Sequence, residues 1–441
     1  MKAKVFLLSE CKNLSSVLEQ TLRYEYGLDG SREFYVECKA RLAHIEDELI
    51  KTDEDDFYIL SASTQELENL STLICRIERS SIGEYSWPFV EEFKSIAKSV
   101  CTEPTSLTTV SPPKVHVLSE GGLSAYSIYT EPKRSISQTR ILTIIFPRTL
   151  KHFVLLHPIL GHELGHAIYS YPKYQRELDT ILLNNLVLPS NNFKDQEATV
   201  KWLYAVDAPN FVKAYLTQLH ATYDIDATNF FYNFANYDAW IEEFLCDFIG
   251  LLMFGPSFLA AHCDLLYSID PSGMSVRDCH PLTACRVNML LVAAEIMEYD
   301  KLVVDDEIKP AVDSFWKSLN SKRQNDQWFD LFTKEQIKNT LEELVKFLST
   351  HEKALYQKPN AEQIQPLVKQ LFELTPPVGY SFDENDGPIC KEVDFRHVLY
   401  AGWIASADTK ANIQFEIVNR LCEHGIMQQG AIKLKMSDKE V

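Results

Sequence analysis

The stretch Gly161-His162-Glu163-Leu164-Gly165-His166-Ala167 constrains this chain more than any other. It spells H-E-x-x-H inside an apolar run with helical character. A helix turns once in about 3.6 residues, so positions i and i+4 share a face. His162 and His166 then project side by side, as two nitrogen ligands of one metal ion must. Glu163 lies one step round the helix, able to reach a water on such a metal but badly aimed to bind the metal itself. Gly161 and Gly165 are poor helix formers. Their placement implies that something approaches this backbone closely.

The pentad by itself arises by accident in about two of a hundred chains of this length. Two histidines in an ordinary helix are then the plain alternative, and a third ligand is what discriminates. The segment Trp240-Ile241-Glu242-Glu243-Phe244-Leu245-Cys246-Asp247-Phe248-Ile249-Gly250 supplies candidates. Its apolar positions 240, 241, 244, 245, 248, 249, 251 and 252 follow helical spacing. Glu243 and Asp247 stand four apart and point together out of an oily helix. That placement is costly unless the acids are paired or hold a metal. Glu242 is the rival third ligand, without an acidic residue four positions on.

H-E-x-x-H followed by E-x-x-x-D resembles the gluzincin group of zinc metallopeptidases. The resemblance implies that Glu243 joins His162 and His166 in holding one Zn2+, with Asp247 hydrogen-bonded to the far nitrogen of His162. It implies Glu163 as general base and a zincin-like core, in which a small sheet precedes the active-site helix and its edge strand pairs with extended substrate. The later order Gly255-Pro256, His280-Pro281 and Arg286 is similar to that of poorly characterised bacterial gluzincin-like proteins. This similarity covers about residues 150–300 and touches Tyr400-Ala401-Gly402-Trp403.

The expected function is that of a zinc-dependent metallopeptidase acting on protein or peptide, as an endopeptidase rather than an exopeptidase. Two alternatives stand beside it: a metal-stabilised binding or regulatory module that does not cleave, and a hydrolase of a non-peptide amide. His280 is a candidate oxyanion donor or substrate clamp, with a helix-cap histidine as the plain reading. Arg286 either touches substrate or forms a salt bridge to Asp247, Glu242 or another acid. Tyr237, at the end of the aromatic run 230–237, is a further candidate oxyanion donor or a core residue. His152 and His157 lie off the ligand face and are read as structural. No G-x-S-x-G nucleophile elbow is present.

The 441 residues carry a net charge of −19, with 46% hydrophobic and 24% charged residues. That is the composition of a soluble globular protein of two or three domains. The acid excess argues against nucleic acid or an anionic membrane as partner. No apolar run is long enough to span a bilayer, and Val5–Leu8 is too short for an export signal. The ten cysteines are scattered without C-x-x-C pairs, which fits reduced thiols and a cytoplasmic setting.

The expected architecture is α+β and mainly helical. A helical N-terminal domain (1–101) precedes a linker rich in Thr, Ser and Pro (102–113), the metallopeptidase core (114–300) and a helical C-terminal region (301–441). Leu14, Val17, Leu18, Leu22 and Tyr26 keep helical spacing, as do Leu42, Ile45, Leu49 and Ile50. Strands are expected at Val115–Leu118, Ala125–Tyr129 and Ile141–Phe146. Bulky flanks around a cleft suggest latency, with residues 1–100 or 301–441 as cover and an unknown regulatory partner as release.

Overall fold

Leu7, Cys11, Leu14 and Leu18 recur at steps of four, three and four residues, and so do Cys38, Leu42, Ile45 and Leu49. That spacing lays one apolar stripe along each of two helices. In the computed structural model these are α1 (Ala3–Thr21) and α2 (Gly30–Lys51), followed by α3 (Phe57–Arg79) and α4 (Trp87–Val100). The structure describes residues 3–21, 30–53, 56–79, 86–102, 113–119, 126–130, 141–186, 237–273, 280–325, 329–383, 387–408 and 413–437. Leu22, Tyr26 and most of the expected linker lie outside them.

Three strands follow: β1 (Lys114–Ser119), β2 (Ser127–Thr130) and β3 (Ile141–Phe146). β3 is central, parallel to β1 and antiparallel to β2. Its run ILTIIF is buried throughout, which is what a strand covered on both faces requires. Leu118, Ile141 and Ile145 join the stripes of α1 to α3 in one apolar cluster. The chain accordingly divides into two compact units, Met1–His152 and Phe153–Val441.

This division runs differently from the expected boundaries. The strands pack with the N-terminal helices, because those helices cover their apolar side chains. The break falls after His152 and not at 102–113. Residues 301–441 are not separate either, since they share a unit with the H-E-x-x-H segment.

The second unit opens with a 3-10 helix, Val154–Ile159, which contains Pro158, and continues into α5 (Leu160–Tyr169). α6 (Pro172–Asn185) starts with proline in its first turn, where the missing N–H has no helical partner to lose. After residues outside the description come α7 (Tyr237–Phe254) and α8 (Pro256–Ile269). Gly255 separates them at φ +58°, and a side chain there would meet the Tyr356 ring at 2.3 Å. The remaining elements are α9 (Thr283–Ile296), α10 (Lys309–Asn320), α11 (Lys334–Ser349), α12 (Ala361–Phe372), the hairpin β4 (Tyr380–Asp383) and β5 (Gly387–Cys390), α13 (Phe395–Ser406) and α14 (Phe415–Ser437). α14 runs helically to Ser437.

α5 and α7 are the pair that positions the site. A Cβ at Gly161 would sit 2.9 Å from the Cα of Gly250, and one at Gly165 would sit 2.8 Å from the Cα of Cys246. The close approach implied by the two glycines is therefore that of the α7 backbone. Two C-terminal helices fix the entry to α5: the Trp403 indole donates to the Leu155 carbonyl at 3.1 Å, and the Leu155 N–H donates to Asn419 Oδ1 at 3.2 Å. Among the described residues no helix is long and apolar enough to cross a membrane, and the described cysteine side chains are free thiols.

Candidate metal centre

The Nε2 atoms of His162 and His166 lie 3.2 Å apart on one face of α5. Glu243, on the facing side of α7, reaches both. Its Oε2 is 3.4 Å from His162 Nε2, and its Oε1 is 3.3 Å from His166 Nε2. Ligand atoms bound tetrahedrally at about 2.0–2.1 Å stand about 3.3–3.4 Å from one another. The two Glu243 distances end on different oxygens; taking one ligand atom from each residue, all three lie within 4.8 Å of one another, a triangle within reach of one shared cation.

Proton positions sharpen the point. His162 Nδ1 lies 2.9 Å from Asp247 Oδ1, and His166 Nδ1 lies 2.7 Å from Glu242 Oε1. A carboxylate can only accept, so in each neutral imidazole the proton sits on Nδ1 and Nε2 presents a lone pair. With both imidazoles neutral, two lone pairs and a carboxylate converge with no donor among them. Oε2 of Glu243 is buried and accepts no hydrogen bond; Arg286 Nη1 stands 3.0 Å away, at ion-pair distance but off the hydrogen-bonding line. A buried acceptor left in that state is costly. A divalent cation satisfies all three groups at once, so the residues present fit one.

Asp247 is anchored from several helices. Arg286 on α9 donates to it twice, from Nε to Oδ2 at 2.7 Å and from Nη2 to Oδ1 at 2.6 Å. This is a bidentate buried pair. Arg286 is buried and turned inward, so the salt-bridge reading replaces that of a substrate contact. His262 on α8 also reaches Asp247 Oδ1, from Nε2 at 2.8 Å. The trio His162, Asp247 and His262 itself has metal-ligand spacing. Arg286 already neutralises this trio: its Nη2 donates to Asp247 Oδ1 at 2.6 Å, and it lies 3.0 and 3.4 Å from His262 Nε2 and His162 Nδ1, whose N–H groups face the same carboxylate oxygen.

The electrostatics follow from burial and these pairs. Burial pulls the His162 imidazole down to about 4, so it stays neutral. Against the upward push of burial, Arg286 and the two ring systems hold Glu243 at about 2. Arg286 and His262 likewise hold Asp247 well below the usual carboxylate range against burial. For His166, burial opposes protonation, but Cys246, Glu242 and Glu243 more than reverse it. A proton on His166 then answers the same acceptors that suit a cation. Glu163 is pushed up to about 7 by burial, with His166 opposing. A divalent cation at the triangle would draw it back down.

The other candidates separate. His280 is half-exposed, at 50%, with Nε2 3.6 Å from Glu243 Oε1. It does not cap α9, which begins at Thr283 with Leu282 in the cap position. Tyr237 opens the first turn of α7, but its side chain lies outside the described residues. His157 is buried in the 3-10 helix. Glu242 serves His166 from outside and is not one of the converging triangle. Sequence reasoning missed His262 altogether. The signal was there: a histidine in an otherwise oily helix raises the question that singled out Asp247.

No family model matches the chain, and no curated protein or solved structure is significantly similar to it.

Proposed function

We propose that this chain is a zinc-dependent metallopeptidase of the gluzincin type that cleaves within protein or peptide chains. The reading rests above all on the convergence of His162 Nε2, His166 Nε2 and the Glu243 carboxylate at 3.2–3.4 Å. α5 and α7 are the two-helix frame of a zincin-like core. Zinc held by these three side chains supplies a Lewis acid that polarises a carbonyl and acidifies water.

The chain's own groups do the rest. Glu163 takes a proton from the attacking water and delivers it to the leaving nitrogen. His280, on the exposed side of Glu243, donates a hydrogen bond to the oxygen on which charge develops. Asp247 and Glu242 fix the tautomers of His162 and His166, and Arg286 holds Asp247 in place. Glu242, Glu243, Asp247 and Arg286 are all engaged with the histidines or with one another. The acid excess and free thiols support a cytoplasmic setting.

The test is metal analysis of the purified protein together with cleavage of a broad peptide library by wild type and Glu163→Gln. Wild type should carry one zinc and cleave. Glu163→Gln should keep the zinc and lose about a hundredfold or more in rate. A wild type that takes up no zinc, or a Glu163→Gln protein with full activity, overturns the proposal. Zinc retained without any cleavage by wild type points instead to the non-cleaving module.

A further inference from the structure

We propose that His262 is a positioning residue of the metal centre, which holds the His162 imidazole in place through Asp247 and through ring stacking. The inference rests on the metal reading above. His262 lies on α8 among apolar side chains and is buried. An imidazole costs more there than an aliphatic side chain. Its Nδ1 finds no hydrogen-bond partner. What it gains is on the other edge of the ring.

Its Nε2 stands 2.8 Å from Asp247 Oδ1. That same oxygen receives His162 Nδ1 at 2.9 Å and Arg286 Nη2 at 2.6 Å. With Arg286 Nε on Oδ2 at 2.7 Å, four contacts surround the carboxylate, three of them crowded on Oδ1. The donors arrive from α5, α8 and α9, so Asp247 is pinned from three helices besides its own.

The ring contributes separately. His262 stacks on His162, with centroids 5.1 Å apart and planes 26° apart. On Phe258 it stacks at 4.8 Å and 18°. Phe258 packs in turn on the bare backbone of α7 at Gly250, where a Cβ would come within 2.4 Å of its ring. The shared acceptor sets the direction of the His162 N–H, and the stack sets the plane of its ring. A ligand imidazole has two side-chain torsions, and these two contacts restrain both.

The test uses full-length wild type, His262→Phe and His262→Gln. Zinc affinity is read by competition with a chromophoric chelator, ligand geometry by the visible absorption of the Co2+-substituted proteins, and folding by circular dichroism of the zinc-free forms. His262→Phe keeps a ring and loses the donor. It should fold, bind zinc ten- to a hundredfold more weakly, and shift the cobalt bands. His262→Gln returns an N–H without the stack and should recover part of the affinity.

A folded variant of either kind that binds zinc within twofold of wild type, with an unchanged cobalt spectrum, overturns the inference and leaves His262 a core residue. Should His262→Phe fail to fold, His262→Gln decides by the same threshold. A wild type that takes up neither metal overturns the metal reading itself, and this inference with it.

Discussion

Gly165→Ala is the sharpest probe of how the site is built. The added methyl would lie 2.8 Å from the Cα of Cys246 and 3.0 Å from its Cβ and Sγ. The nearest atom is backbone, so no rotamer change relieves the clash. Ordinary contact begins near 3.4 Å, so α5 and α7 must part by about 0.6 Å. Overpacking of this kind costs about 1–3 kcal/mol. Alanine returns up to about 1 kcal/mol in helix propensity. A net loss of up to about 2 kcal/mol should remain after the full propensity gain, measured by urea denaturation of the zinc-free protein.

The functional consequence is separate and larger. His166 adjoins Gly165, and Glu243 lies on α7 less than one turn before Cys246. Parting the helices stretches the 3.3 Å edge between them past tetrahedral ligand spacing. Zinc affinity should fall on the order of tenfold or more. A Gly165→Ala protein as stable as wild type, with zinc affinity within twofold, would refute the argument that the glycines set the ligand spacing.

Asp247→Asn removes the bidentate partner of the buried Arg286, leaving Glu243 Oε2 at 3.0 Å as its counter-charge, and frees the tautomer of His162. It should destabilise the zinc-free protein by about 3–5 kcal/mol, and a loss under about 1 kcal/mol in denaturant titration would count against the pairing. Trp403→Phe removes the donor to the Leu155 carbonyl, with an expected cost of about 1–2 kcal/mol in the same assay. In the first unit, burial holds the β1 residue His116 down at about 3, with Lys94 adding to the shift. Its folded value lies below its unfolded one, so its stabilising contribution is intact above about pH 6.5 and is lost as pH falls toward 3. Wild type should therefore lose up to about 3 kcal/mol more than His116→Phe between pH 7 and pH 4, read from pH-dependent denaturation; parallel curves would remove His116 as the cause.

Much of the local structure was legible because its signals are local. The strand runs predicted near 115, 127 and 141 appear as β1, β2 and β3, since β-branched runs between turn residues declare themselves over a few positions. Gly255-Pro256 ends α7 because no other pair so readily stops one helix and starts the next. The four-residue spacings of His162 to His166 and Glu243 to Asp247 predicted which side chains share a face. They say nothing of which face meets which.

That last step belongs to tertiary structure. Glu242 and Glu243 are adjacent on one helix, about 100° apart around it. Which of them joins the histidines depends on the rotation of α7 against α5, and that rotation is held where Gly161 and Gly165 meet Gly250 and Cys246. The partners of Arg286, the place of His262 and the hold of Trp403 and Asn419 on Leu155 join segments 39, 15, 248 and 264 positions apart. The same holds for the strands, whose allegiance to the N-terminal helices is a matter of which apolar faces cover each other. A chain read in order carries the period of each face, but the contact between two faces is a property of both and is written in neither.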